Sequence, residues 1–169
     1  MGGTVASVLV EQHPRLVRRI AVIGTPPRDG FVESSFLRST STWPVVGELA
    51  NRFAPDPMIK AGLDDAFADD VDVPDQFVDD LDGMTYSAYE KSNSEARDSD
   101  DDNSERIKKA RVPLLGIFGT EDEIVDPDAA DAWKKDIPSA RVVKMRGVGH
   151  SPHWERPRQV VELLLAYAR

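Results

Sequence analysis

Arg146-Gly147-Val148-Gly149-His150-Ser151-Pro152-His153-Trp154-Glu155-Arg156-Pro157 follows directly on the apolar, β-branched run Arg141-Val142-Val143-Lys144-Met145. The run reads as a buried strand and the glycines as the turn that ends it, so an imidazole stands just past a strand's carboxyl end. Pro157 suits the first turn of a helix, and Val160, Val161, Leu164, Leu165 and Tyr167 give Pro157 to Arg169 an amphipathic helical pattern. Upstream the same unit recurs. Leu114-Leu115-Gly116-Ile117-Phe118 is a buried strand ending at Gly119, followed by Thr120-Glu121-Asp122-Glu123-Ile124-Val125-Asp126-Pro127 and a helix over Ala129 to Asp136. Strands alternating with helices imply right-handed crossovers and a parallel sheet covered by helices.

Working outward, Met1 to His13 reads as a helix with Val5, Val8 and Leu9 at helical spacing, stopped by Pro14. Val17 to Ile23 reads as another buried strand, broken at Gly24 and Pro26-Pro27. Phe31 to Arg111 has a different character. Trp43, Val46, Leu49 and Phe53 fit one amphipathic helix and Pro74 to Met84 another, and the polar Ser94 to Ser104 reads as a loop. The expected organisation is a core segment over 1–30, a helical insertion over 31–111, and the end of the core over 112–169. Trp43, Phe53, Phe67, Met84, Tyr86 and Tyr89 either line an apolar pocket or form the insertion's own small core.

Composition narrows the function. The net charge is −9, and sixteen acidic residues between Asp64 and Glu105 stand against only Lys91 and Arg97. That balance argues against nucleic acid as a partner, since phosphate neutralisation needs a basic surface. With no cysteine, disulfide scaffolds, thiolate metal sites and cysteine nucleophiles are excluded. Asp98 to Lys109, aligned as an EF-hand loop, puts Asn103 where glycine is needed and Lys109 where the bidentate Glu belongs. No run approaches the ~20 apolar residues of a membrane span, and the opening residues lack the basic start of a signal peptide. A cytoplasmic location is expected, with no cofactor and no metal. No G-x-G-x-x-G follows a strand, which disfavours a dinucleotide-binding domain.

Chemistry in open α/β sheets gathers at loops beyond the carboxyl ends of strands. Parallel neighbouring strands bring the Asp122 and His150 loops side by side. A carboxylate accepting a hydrogen bond from one imidazole nitrogen fixes the tautomer and leaves the other nitrogen to act as base. Asp126, before Pro127, reads better as a helix cap, and Glu121 and Glu123 as solvent-facing. His153 is expected at the site edge or surface, and His13 as a cation ending the first helix. Ser151 lies beside His150, but sequence neighbours seldom form a productive Ser–His pair.

The G-x-x-D segment ending at Asp122, then G-x-G-H-S-P-x-x-E-x-P some thirty residues on, resembles the acid and histidine segments of the α/β-hydrolases. The order acid before histidine agrees with that family's chain order of Ser, Asp or Glu, His. The resemblance implies Asp122 as catalytic acid and His150 as catalytic base. The family's nucleophile elbow, G-x-S-x-G, often runs G-H-S-M-G-G, and this chain opens Met1-Gly2-Gly3-Thr4 straight into a helix. By resemblance Met1 follows the nucleophile and lends its backbone N–H to the oxyanion hole, while the serine itself is absent; no G-x-S-x-G occurs elsewhere. The implied fold is a partial α/β-hydrolase fold: three parallel strands, flanking helices and a helical cap insertion at 31–111. The intact parent would act on a small ester-like or other acyl substrate, and the chain alone is expected to be inactive. Its first strand would present an open edge that invites self-association or pairing. Two other readings stay open: a fragment of an Asp-nucleophile dehalogenase or epoxide hydrolase, and a non-catalytic module whose acidic insertion binds a basic partner.

Overall fold

A computed structural model describes residues 2–32, 55–68, 70–88, 91 and 102–169. Its elements are α1 (Gly2–Gln12), β1 (Ile20–Ile23), α2 (Asp56–Leu63), α3 (Asp75–Asp82), α4 (Asn103–Ala110), β2 (Leu114–Gly119), α5 (Ala129–Asp136), β3 (Arg141–Met145), α6 (Pro152–Glu155) and α7 (Pro157–Ala168). The three strands form one parallel sheet in the order β1-β2-β3. Ile20 pairs with Leu114 and Ile117 with Val143, so the register brings all three carboxyl ends to one side of the sheet.

Strand alternation divides the core in two. Ile20, Val22, Leu114, Phe118 and Val142 face α1, α4 and α5, where Trp133, Ile107 and Val10 are buried. Leu115, Ile117, Ile23, Val143 and Met145 face α7, through Val160, Leu163, Leu164 and Tyr167. Every residue of β2 is buried, which is why Leu114 to Gly119 reads as an unbroken apolar run. In α5, Ala129, Ala130, Ala132 and Trp133 are buried together, and the Trp133 indole N–H donates to Thr25 O at 2.7 Å, tying the helix to the turn after β1.

Several expectations change. The strand expected over Val17 to Ile23 starts only at Ile20, because the chain is still turning: Leu16 N–H donates to His13 O at 3.0 Å. The face of α1 is also different. Val5 and Leu9 are 68% and 47% exposed, and the side turned inward carries Ser7 and Val10. Gly3 approaches the turn after β1 so closely that a Cβ there would lie 2.2 Å from Thr25 Cγ2, so small residues rather than bulky aliphatics set this packing. On α7, Val160 is buried but Val161 and Leu165 point outward.

The expected polar loop ends in a helix of the core. Asp102 caps α4 by accepting from Glu105 N–H at 2.7 Å, and Asn103, Ser104 and Ile107 are buried. Ser7 Oγ donates to Asn103 Oδ1 at 2.7 Å, and Asn103 Nδ2 donates to Pro26 O at 3.0 Å. A satisfied polar network thus joins α1, α4 and the turn after β1. The helix from Asn103 thus packs against the sheet's helical layer although it precedes residue 112. The helix expected around Trp43 to Phe53, Tyr89, residues 92–101 of the acidic stretch and Met1 lie outside the described residues.

Candidate active site

Asp122 follows β2 by three residues, and its side chain is 1% exposed. Its backbone turn directs Ile124 N–H and Val125 N–H onto Oδ1, at 2.9 and 2.8 Å. With Oδ1 so committed, Oδ2 meets His150 Nδ1 at 2.9 Å. A carboxylate only accepts, so this bond places the ring proton on Nδ1 and leaves Nε2 with a lone pair. The histidine side chain keeps 28% of its surface exposed. The carboxylate is thus enclosed by protein while the histidine ring is only partly covered.

The loops that carry the pair are laced together. Thr120 N–H donates to Met145 O and Glu121 N–H to Val148 O, both at 3.0 Å, and Gly147 N–H donates to Thr120 Oγ1 at 3.1 Å. A Cβ on Gly119 would lie 2.0 Å from Val148 O, so only glycine lets the histidine loop close over the end of β2. From β1 comes Gly24, with φ of +54°, where a Cβ would lie 2.8 Å from His150 Cε1. Left-handed backbone and ring contact both require glycine there. The carboxyl ends of three adjacent strands thus supply the acid, the base and the floor beneath the base.

The remaining candidates separate cleanly. Asp126 is not the cap expected of it: the N-cap of α5 is Asp128, and Asp126 Oδ1 accepts from Asp128 N–H at 2.8 Å in the turn before the helix. Glu121, Glu123, His13 and His153 are on the surface. Partial burial, then the neighbouring charge of His150, hold the His153 pKa below the ordinary histidine value. Ser151 is buried and its carbonyl accepts from Trp154 and Glu155 N–H at the start of α6. Phe67 is buried and stacks edge-to-face on Phe77, which stacks on Trp154 of α6. An aromatic bridge therefore joins the insertion to the histidine loop, whereas Met84 is exposed. A cleft of about 620 Å³ between Lys60, Asp64 and Asp75 shares no residue with the Asp122–His150 pair. Among the described residues no group of acidic or histidine side chains is arranged to hold a metal ion, and no helix is long and apolar enough to cross a membrane.

One participant escaped sequence reasoning. Glu155 accepts from Gly149 N–H with both oxygens, at 3.0 and 3.1 Å, and from Ala68 N–H at 3.4 Å. Its signal was present as the one carboxylate in the histidine segment, a few residues beyond the ring it serves.

The chain has a parallel α/β sheet with an Asp–His pair at its carboxyl edge, and it belongs to the alpha/beta hydrolase family, whose profile matches residues 1–163. The biotin biosynthesis bifunctional protein BioHC of Teredinibacter turnerae is 24% identical over 181 aligned positions, covering 100% of this chain and 32% of that protein. A monoacylglycerol lipase of Mus musculus is 33% identical over 63 residues, 37% of this chain and 19% of its own length. In fold the chain is similar to a carboxylesterase of Nitrososphaera gargenis, with TM-score 0.74, 16% identity, and coverage of 99% of this chain and 61% of that one. It is also similar to the meta-cleavage product hydrolase of Pseudomonas fluorescens, with TM-score 0.73, 18% identity and coverage of 98% and 60%. The chain spans about a third or less of the curated relatives it matches and about three fifths of these solved structures.

Proposed function

We propose that this chain carries the acid and the base of a Ser-His-Asp hydrolytic triad acting on small ester-like acyl substrates, the nucleophile coming from outside these 169 residues. The observation that carries the reading is the 2.9 Å bond from His150 Nδ1 to Asp122 Oδ2, on a carboxylate whose other oxygen is already held. A serine placed at the open side of the ring would give its proton to Nε2 while attacking the substrate carbonyl. The imidazolium so formed keeps its Nδ1–H on Asp122, which stabilises the charge, and Nε2 returns the proton to the leaving group. Two backbone N–H groups hold the oxyanion, one of them assigned to Met1. Support for acyl chemistry comes from the lipase and esterase character of the relatives.

The test is hydrolysis of short-chain aryl esters by the purified chain. The expected result is no turnover above the protein-free blank for either the chain or its His150→Ala variant. Turnover that His150→Ala abolishes would overturn the external nucleophile. Turnover indifferent to that substitution would overturn the assignment of His150 as base.

A further inference from the structure

We infer that Glu155 is a positioning residue, a clasp that fixes the backbone entering His150 and couples it to the Phe67–Ala68 segment of the insertion; the inference rests on the reading of His150 as base. The ring of His150 is bounded by Asp122 on one side, at 2.9 Å, and by the Gly24 backbone on another. Neither contact stops the loop from lifting away. The ties to the acid loop hold Met145, Gly147 and Val148, and the residue next to His150 is held by the Glu155 carboxylate, which takes Gly149 N–H on both oxygens and Ala68 N–H on Oε2.

Geometry makes the clasp specific. A Cβ on Gly149 would lie 2.6 Å from Phe67 C and 2.7 Å from Ala68 N, so histidine loop and insertion meet backbone to backbone. Phe67 and Ala68 are buried in that contact, at 3% and 2% exposure. Glu155 itself is held by α6, where its N–H donates to Ser151 O at 3.1 Å and Arg156 N–H donates to Pro152 O at 2.8 Å. The anchor therefore starts one residue after the histidine and returns to the residue before it. A displacement of the insertion at Ala68 is passed through one carboxylate to the peptide that carries the base.

The experiment uses the ¹⁵N-labelled chain, with Glu155→Ala and Glu155→Gln, and reads two quantities by NMR: amide exchange at Gly149 and Ala68, and the ring nitrogen shifts of His150. A hydrogen bond to a charged acceptor contributes about 1.5–3 kcal/mol, so Glu155→Ala should speed exchange at both amides about tenfold or more. Exchange at Leu115 and Ile117 should stay unchanged, and His150 should lose its single Nδ1-protonated form. Glu155→Gln retains an acceptor oxygen and should restore the His150 tautomer, and it serves should the alanine variant fail to fold. Faster amides with an unaltered His150 ring would reduce Glu155 to a structural tie and overturn the inference, as would amides that do not respond. The catalytic reading fails separately, if the chain turns over ester above the protein-free blank and keeps that turnover in His150→Ala while the ring still answers to Glu155.

Discussion

Replacing Asp122 by Asn changes almost no shape and reverses one donor. The amide oxygen can go on accepting from Ile124 and Val125, but the NH₂ then faces His150 Nδ1, where a second donor already points. The imidazole is expected to answer by moving its proton to Nε2, which removes the lone pair a base needs. In triads of this kind the wrong tautomer lowers kcat on the order of 10⁴-fold. Stability should respond more mildly. Hydrogen bonds to a charged acceptor contribute about 1.5–3 kcal/mol and neutral ones about 0.5–1.5, so weakening two backbone bonds removes about 2 kcal/mol. Asp122→Ala removes all three bonds and leaves the buried Val125 N–H unpaired, so its loss should be larger, about 3–5 kcal/mol. Urea unfolding followed by the fluorescence of the buried Trp133 measures the stabilities, and long-range ¹H–¹⁵N correlation of His150 reports the tautomer. The reasoning is refuted if Asp122→Asn keeps the proton on Nδ1, or if Asp122→Ala lowers the unfolding free energy by less than about 1 kcal/mol.

Two further changes probe the same corner. Gly24→Ala forces an L-residue to a φ of +54° and sets a methyl 2.8 Å from the His150 ring. It should lower stability by about 1–2 kcal/mol from the left-handed backbone alone. It should also shift the His150 ring resonances; unchanged resonances would show that the ring does not rest on this turn. For His153 the folded pKa lies below the ordinary value, so the unfolded chain binds the proton more readily. Stability is therefore lost as pH falls through the unfolded histidine value of about 6.5 towards the lower folded one. His153→Asn should lessen the fall in Tm between about pH 7 and pH 5, and a parallel fall in both proteins would refute the assignment.

The parts of the fold that were legible in the sequence are those whose burial is complete or whose pattern is unambiguous. β2 is buried on both faces, so an apolar run with glycine after it could hardly be anything else, and α5 and β3 were readable to the residue. The Asp122 and His150 loops were legible for a topological reason: adjacent parallel strands deliver their carboxyl-end loops to one place, whatever fills the core. α1 was legible as a helix but its buried face was not, because its residues are apolar around most of the helix. Val5 and Leu9 repeat with the same four-residue step as Gly3 and Ser7, and periodicity alone does not say which stripe faces the sheet. The polar start of α4 misled for the opposite reason. Its burial is stabilised by hydrogen bonds to Ser7 and Pro26, partners 96 and 77 residues away, and hydropathy carries no record of them.

Glycine shows the same limit at the site itself. Gly24, Gly119 and Gly149 each read as a turn signal, and each is in addition a place where another segment arrives: the His150 ring, the Val148 carbonyl and the Phe67 backbone. A missing side chain marks closeness without naming the neighbour. Glu155 belongs to this class of information. Its carboxylate stands in the segment as plainly as His150, but its partner Ala68 lies 87 residues upstream in the insertion, and only the folded chain puts the two together. Chemistry that needs one strand-end loop beside the next is written locally, whereas what holds those loops still is distributed over contacts that the sequence does not order. The meeting of Asp122 with His150 could therefore be anticipated from the sequence, while the contact of Glu155 with Ala68 is seen only in the folded chain.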